Sequence, residues 1–138
     1  MTGNDFVAML LRSPFHFLLG NTMLLTVTGR KSGREYTTPV GYYRSGGNLW
    51  VISSRDRTWW RNLRGGAPVK MHMRGKDVTG HAETVLEAGA VAARLEEYLQ
   101  HVPMAARPLG VRLENGKPYP GDIARLTGER LFVRIKPD

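Results

Sequence analysis

Leu24-Leu25-Thr26-Val27-Thr28-Gly29-Arg30-Lys31-Ser32-Gly33-Arg34-Glu35-Tyr36-Thr37-Thr38-Pro39-Val40 reads as strand, turn and strand. The run Met23 to Thr28 is short, apolar and β-rich, as a buried strand requires. Gly29 to Arg34 carries turn chemistry with two glycines. Beyond it, residues 36 to 44 alternate, so Tyr36, Thr38, Val40 and Tyr42 share one face. Pro39 has no N–H to give to a ladder, which places this strand at an edge or a bulge. Ser45-Gly46-Gly47-Asn48 is a hairpin turn, and Leu49 to Ser53 is its return strand. Three strands joined by short turns are necessarily antiparallel neighbours.

The rest of the chain extends this pattern. Thr58 to Arg64 reads as a short helix with Thr58 as N-cap, stopped by Gly65 and Gly66. Val69, Met71 and Met73 alternate with Lys70, His72 and Arg74 in a half-buried strand, and Gly75-Lys76 turns into another over about 77 to 85. Ala88 to His101 is the strongest helix, with Val91, Leu95, Tyr98 and Leu99 on one stripe, and Pro103 ends it. Residues 104 to 120 read as irregular, and 122 to 127 as a helical turn. Leu131, Val133 and Ile135 alternate with Phe132, Arg134 and Lys136 in a last strand. Ahead of all these, residues 5 to 19 read as a helix broken near Pro14. The expectation is one α+β domain over residues 1–138, mainly antiparallel β, as a partly open barrel with flanking helices.

Composition narrows the function. The chain has 138 residues, a formal net charge of +8 and no cysteine. Absent cysteine excludes disulfides and thiolate catalysis, and fits a reducing compartment. No apolar run reaches membrane-spanning length, and no cleavage site follows the N-terminal apolar stretches, so the expected location is the cytoplasm. Phe15, Phe17, Leu18 and Leu19 leave two readings: a helix packed on its own core, or an amphipathic segment resting on a membrane. Arg30 to Lys76 carries eleven Lys and Arg against two acids, and the rest nine against ten. Clustered positive charge implies an anionic partner.

Two stretches concentrate recognition chemistry. Between Gly29 and Gly33, Arg30 offers a planar fork, Lys31 a point charge and Ser32 a hydroxyl, around backbone N–H groups able to converge on an oxyanion. The spacing is not that of a P-loop, and an ordinary basic turn has the same composition. Ser53 to Leu63 sets Trp59 and Trp60 among arginines. Helical spacing puts Trp59 and Asn62 on nearly one face, with Trp60 turned away. Those groups suit a polar heteroaromatic ring or a phosphate, or simply a cap on the barrel. His16, His72, His81 and His101 lack metal-pair spacing, so no metal site is expected. No nucleophile-plus-base set is evident. The chemistry, if any, belongs to a cofactor.

Residues 24 to 40 (LLTVTGRKSGREYTTPV) and 59 to 71 (WWRNLRGGAPVKM) together resemble the deazaflavin-dependent nitroreductase family of split β-barrel flavin and deazaflavin oxidoreductases. The likeness spans about residues 10 to 136. It implies a split β-barrel and coenzyme F420, whose phosphate and acidic oligoglutamate tail match the charge surplus. FMN is the alternative cofactor, since relatives on this barrel use it. The family's roles carry over to Arg30, Lys31, Ser32 and Gly33 at the phosphate, with Thr37, Thr38 and Pro39 near the cofactor. Ser53, Ser54, Trp59 and Asn62 border its ring or tail. Where the family often has an arginine this chain has Tyr36, and Arg34 stands two positions away to substitute. The implied reaction is hydride transfer from reduced deazaflavin to a small electron-poor acceptor such as a quinone or nitro compound. Tyr36, Tyr42 and Tyr119 are the candidate proton donors. Basic residues with interleaved Tyr and Trp also suit single-stranded nucleic acid, and a third reading is a barrel that stores the cofactor or rests on a lipid surface without chemistry. The resemblance favours the redox cofactor, so no nucleic-acid partner is expected. Fold-level analogy points to a homodimer.

Overall fold

Thr22–Thr28 forms strand β1, whose alternate residues Met23, Leu25 and Val27 are buried. It begins the part of the chain that the computed structural model describes, residues 22–138. The N-terminal helix expected over residues 5 to 19 lies outside those residues. Five more long strands follow: β2 (Glu35–Ser45), β3 (Asn48–Ser54), β4 (Ala67–Met73), β5 (Lys76–Val85) and, near the C-terminus, β8 (Arg130–Pro137). They close into a ring in the order β1-β2-β3-β8-β5-β4, every pairing antiparallel. The expected partly open barrel is therefore closed, because β1 also pairs with β4 through Leu24–His72, Leu25–Met71 and Thr26–Lys70.

The ladder between β2 and β3 is interrupted. Residues 35 to 41 of β2 pair with β1, from Thr28–Glu35 to Thr22–Gly41. Residues 42 to 45 pair instead with β3, and that ladder stops at Tyr42–Val51. Ile52, Ser53 and Ser54 of β3 continue on β8 alone. Pro39 sits in the half of β2 that has a single partner, so its missing N–H fits a local edge inside a closed ring.

The barrel interior is filled from the inward face of each strand: Leu25, Val27, Leu49, Val51, Val69, Met71, Ala82, Leu131, Val133 and Ile135. The Trp59–Leu63 turn of 3-10 helix plugs one end with Trp60 and Leu63. It holds the position expected of the short helix. Thr58, however, makes no side-chain cap bond, because its backbone is already helical (φ −104°, ψ −22°).

A second core lies outside the ring. Helix α1 (Ala88–His101) lays Val91, Leu95, Tyr98 and Leu99 onto Tyr43, Trp50 and Phe132. Glu87 caps α1 by accepting the N–H groups of Gly89 and Ala90 at 2.9 and 2.8 Å, which holds its carboxyl below the usual range. The stretch expected to be irregular contains α2 (Ala106–Leu109) and a two-strand ribbon, β6 (Leu113–Glu114) with β7 (Lys117–Pro118). Then α3 (Pro120–Glu129) adds Ile123 and Leu126 to the outer core. Among the described residues no helix is long and apolar enough to cross a membrane.

Burial in this outer core pushes the Tyr98 hydroxyl from 10.0 up to about 12, and burial followed by the Glu97 carboxylate does the same to Tyr43. A raised folded-state value keeps the proton on in the native state after the unfolded chain has lost it. The associated stability is complete below pH 10 and is lost as pH rises through 12. Unfolding free energy measured in urea should fall across that window, and Tyr98→Phe should flatten the fall. An unchanged slope in the variant would mean that Tyr98 does not cause it.

Candidate functional site

The registers sort the connections by end. The two-residue turn at Gly46-Gly47 (φ +61° and +79°) and the turn from Met73 to Lys76 lie at one end. The long connections, residues 29 to 34 and 55 to 66, lie at the other, beside the interruption between β2 and β3. The motif residues gather there.

The loop after β1 is held by its own backbone. Gly29 donates to the Arg34 carbonyl (2.7 Å), and Gly33 (φ +70°) donates to the Gly29 carbonyl (2.8 Å). Arg34 N–H donates to Ser32 Oγ (3.2 Å), which also pairs with the Tyr36 hydroxyl (3.2 Å). A Cβ at Gly29 would lie 2.8 Å from both Ser32 Oγ and Tyr36 Cε2, so those side chains would have to shift. The expected convergence of the whole loop on an anion is thus reduced. The N–H groups of Lys31 and Ser32 are the pair the loop itself leaves unused.

Asn62 joins the two motifs. Its Oδ1 accepts the Arg30 N–H (3.2 Å), and its Nδ2 donates to the Trp59 carbonyl (3.1 Å). The Arg30 guanidinium donates through Nη2 to the carbonyls of Arg64 and Gly66. Both residues therefore brace the loop against the 3-10 turn. This shared mounting explains why the two motifs occur together.

Trp60 is 3% exposed, and its indole N–H finds no acceptor among the described residues. Arg61 and Arg64 lie over its ring at 5.7 and 5.1 Å from the centroid. Lys31, Arg34, Arg57, Arg61 and Arg64 form no ion pair with a carboxylate among the described residues. Asp56 accepts from Ser54 Oγ at 2.5 Å, which holds its carboxyl below the usual range, and Glu35 pairs with Lys70. The end is a cationic surface with little internal compensation.

Strand parity divides the remaining candidates. Thr38 pairs with fully buried Leu25 and Ser53 with Leu131, so both face the barrel interior where the β2–β3 ladder is missing. Thr37 and Pro39 face outward, opposite Thr26 and Leu24, and Thr37 Oγ1 meets Thr26 Oγ1 at 2.8 Å. Ser54 lies on the outward side with Asp56. Of the three tyrosines, Tyr36 lies on β2 and meets the loop through Ser32. Tyr42 is buried in the barrel, and Tyr119 lies under Arg112 at the start of α3.

Sequence reasoning missed Arg55. Its backbone N–H donates to the Glu129 carbonyl at 2.9 Å. Its side chain donates to the carbonyls of Arg130 (2.9 Å), Leu86 (2.7 Å) and Thr127 (2.9 Å). It pins the end of β3 to three distant segments, which no local pattern announces.

The ring and its interruption define a split barrel. Similar solved folds include a general stress FMN/FAD-binding protein from Xanthomonas citri (17% identity, 86% of this chain and 75% of that one, TM-score 0.53). Another is an F420 reductase (17%, 91% and 94%, TM-score 0.53), and a third the FAD- and heme-binding protein from Mycobacterium smegmatis (16%, 89% and 64%, TM-score 0.51). At these identities the likeness is one of fold. No curated protein matches the sequence. The model of the F420H(2)-dependent quinone reductase family matches residues 14–108, and the chain belongs to that family. It is accordingly an oxidoreductase of an F420H2-dependent class.

The residues present suit that cofactor. An anionic group of the cofactor needs uncompensated cations and free N–H donors, and the loop end supplies both.

Proposed function

We propose that this chain reduces quinones or nitro compounds with hydride from F420H2, bound where the β2–β3 ladder is interrupted. The observation that carries the reading is this gap beside the cationic loop. Lys31 and Arg34, with the free N–H groups of Lys31 and Ser32, hold the cofactor's phosphate. Arg57 and Arg61 draw its acidic tail. Thr38 and Ser53 border the ring from the inward faces of β2 and β3, while Thr37, Pro39, Ser54 and Trp59 form its outer margin. Arg30, Gly33 and Asn62 keep the loop in shape. F420H2 supplies the hydride, and the chain orients it and shields it from water. The Tyr36 hydroxyl, linked to Ser32, is the tyrosine placed to pass a proton at this end.

Fluorescence titration with F420 and with FMN tests the proposal. F420 should bind more tightly, and Lys31→Gln or Arg34→Gln should each weaken it about fivefold, as expected of a partly exposed ionic contact. Turnover with quinone and nitroaromatic acceptors then ranks the substrates. Binding of neither cofactor overturns the proposal.

A further inference from the structure

The charge surplus does not all serve the loop end. Of the eleven cations between Arg30 and Lys76, Lys70 is paired with Glu35 on the wall. Arg44, Arg74 and Lys76 stand at the opposite end of the strands, beside the two tight turns. There they line a cavity of about 300 Å³ together with Leu49, Met73, Val78 and Pro137.

Register makes this arrangement unusual. Arg44 pairs with Leu49, and Lys76 with Met73. Paired residues share a face, and Leu49 and Met73 are buried in the barrel core. Arg44 and Lys76 are therefore the last inward-facing residues of β2 and β5, cations where the pattern calls for apolar side chains. Arg74 joins them from the turn at φ +51°.

None of the three has a carboxylate partner among the described residues. Asp77, next to Lys76, and Asp138, next to the lining Pro137, are engaged elsewhere: Asp77 with His72 at 2.8 Å, and Asp138 with Thr79 at 2.6 Å. His72 and Thr79 alternate with the inward residues, so both acids are drawn to the outer wall. Three like charges around an apolar floor repel one another unless an anion joins them.

We infer that this mouth is a second binding site, separate from the cofactor end, for a small amphiphilic anion. The anionic head sits among Arg44, Arg74 and Lys76, and the apolar body rests on Leu49, Met73, Val78 and Pro137. The volume is at the small end of ligand cavities, which limits the guest to a single short apolar body. Such chemistry comes from a free acid or from an anionic lipid, and the two are separable by experiment.

The test uses the full chain with its methionine methyls labelled for NMR. Octanoate should shift the Met73 methyl in a saturable way, and uncharged 1-octanol should bind about tenfold or more weakly. The triple variant Arg44→Gln, Arg74→Asn, Lys76→Gln should lower octanoate affinity by a similar factor; asparagine tolerates the left-handed backbone at 74. Arg107→Gln, on α2, should change nothing. Sedimentation with phosphatidylglycerol vesicles identifies the source. Co-sedimentation that the triple variant loses assigns the site to a membrane-held lipid, and octanoate binding alone assigns it to a free acid. If octanoate leaves Met73 unshifted and the vesicles do not sediment the chain, the site does not exist. Equal octanoate binding by the triple variant overturns it as well. F420 titration of the same variant should be unchanged, so failure here leaves the cofactor proposal standing.

Discussion

Gly29→Ala should weaken F420 binding about tenfold or more, while the chain stays folded with nearly the same melting temperature. The added Cβ would approach Ser32 Oγ and Tyr36 Cε2, each to 2.8 Å, so both side chains must move. They are held to each other, and Ser32 also accepts the Arg34 N–H. Moving them tilts the loop that carries Lys31 and Arg34. Weakening both contacts together, each worth about fivefold, gives the factor. The core is untouched, which gives the stable fold. In a Tyr36→Ala background the same substitution should cost less, because half of the clash is gone. Fluorescence titration of the four proteins checks both statements. Equal affinity of Gly29→Ala and the parent would show that this loop does not hold the cofactor.

Arg55→Met should have the largest effect on stability, a loss of roughly 2–4 kcal/mol in urea unfolding. Three carbonyls, on Leu86, Thr127 and Arg130, lose a charged donor at once. Methionine keeps much of the packing volume, so the loss reports on hydrogen bonding. Arg55→Lys should rescue little, since a single ammonium cannot replace a fork that reaches three segments. A loss below about 0.5 kcal/mol would show that the three contacts do not hold this end together.

Periodicity made the barrel legible. Alternation at Val69, Met71 and Met73 and the stripe from Val91 to Leu99 describe what each element buries. The outer core was harder to read. Tyr43, Trp50 and Phe132 occupy the polar phase of their strands and are buried because α1 and α3 cover them from far along the chain. A local pattern cannot show that. The ribbon at residues 113 to 118 carried a signal that went unused. Asn115-Gly116, both at positive φ, is a strong hairpin dipeptide. At the candidate site, composition pointed to two segments that the fold brings to one end of the barrel, and the cofactor class follows the family. The division of labour within the loop was not legible. Arg30 and Asn62 look like ligands by residue type, yet Arg30 Nη2 donates to the Arg64 and Gly66 carbonyls, and Asn62 holds the Arg30 N–H and the Trp59 carbonyl.

The change of partner along β2 also bears on compliance. Where residues of neighbouring strands are paired, the strands can separate only by breaking a ladder. Between residues 35–41 of β2 and 52–54 of β3 there is no ladder to break. Widening at that seam costs side-chain contacts and no sheet hydrogen bonds. The slot at that seam can therefore widen for a guest without giving up ladder hydrogen bonds, much as a split collar grips shafts of slightly different diameter.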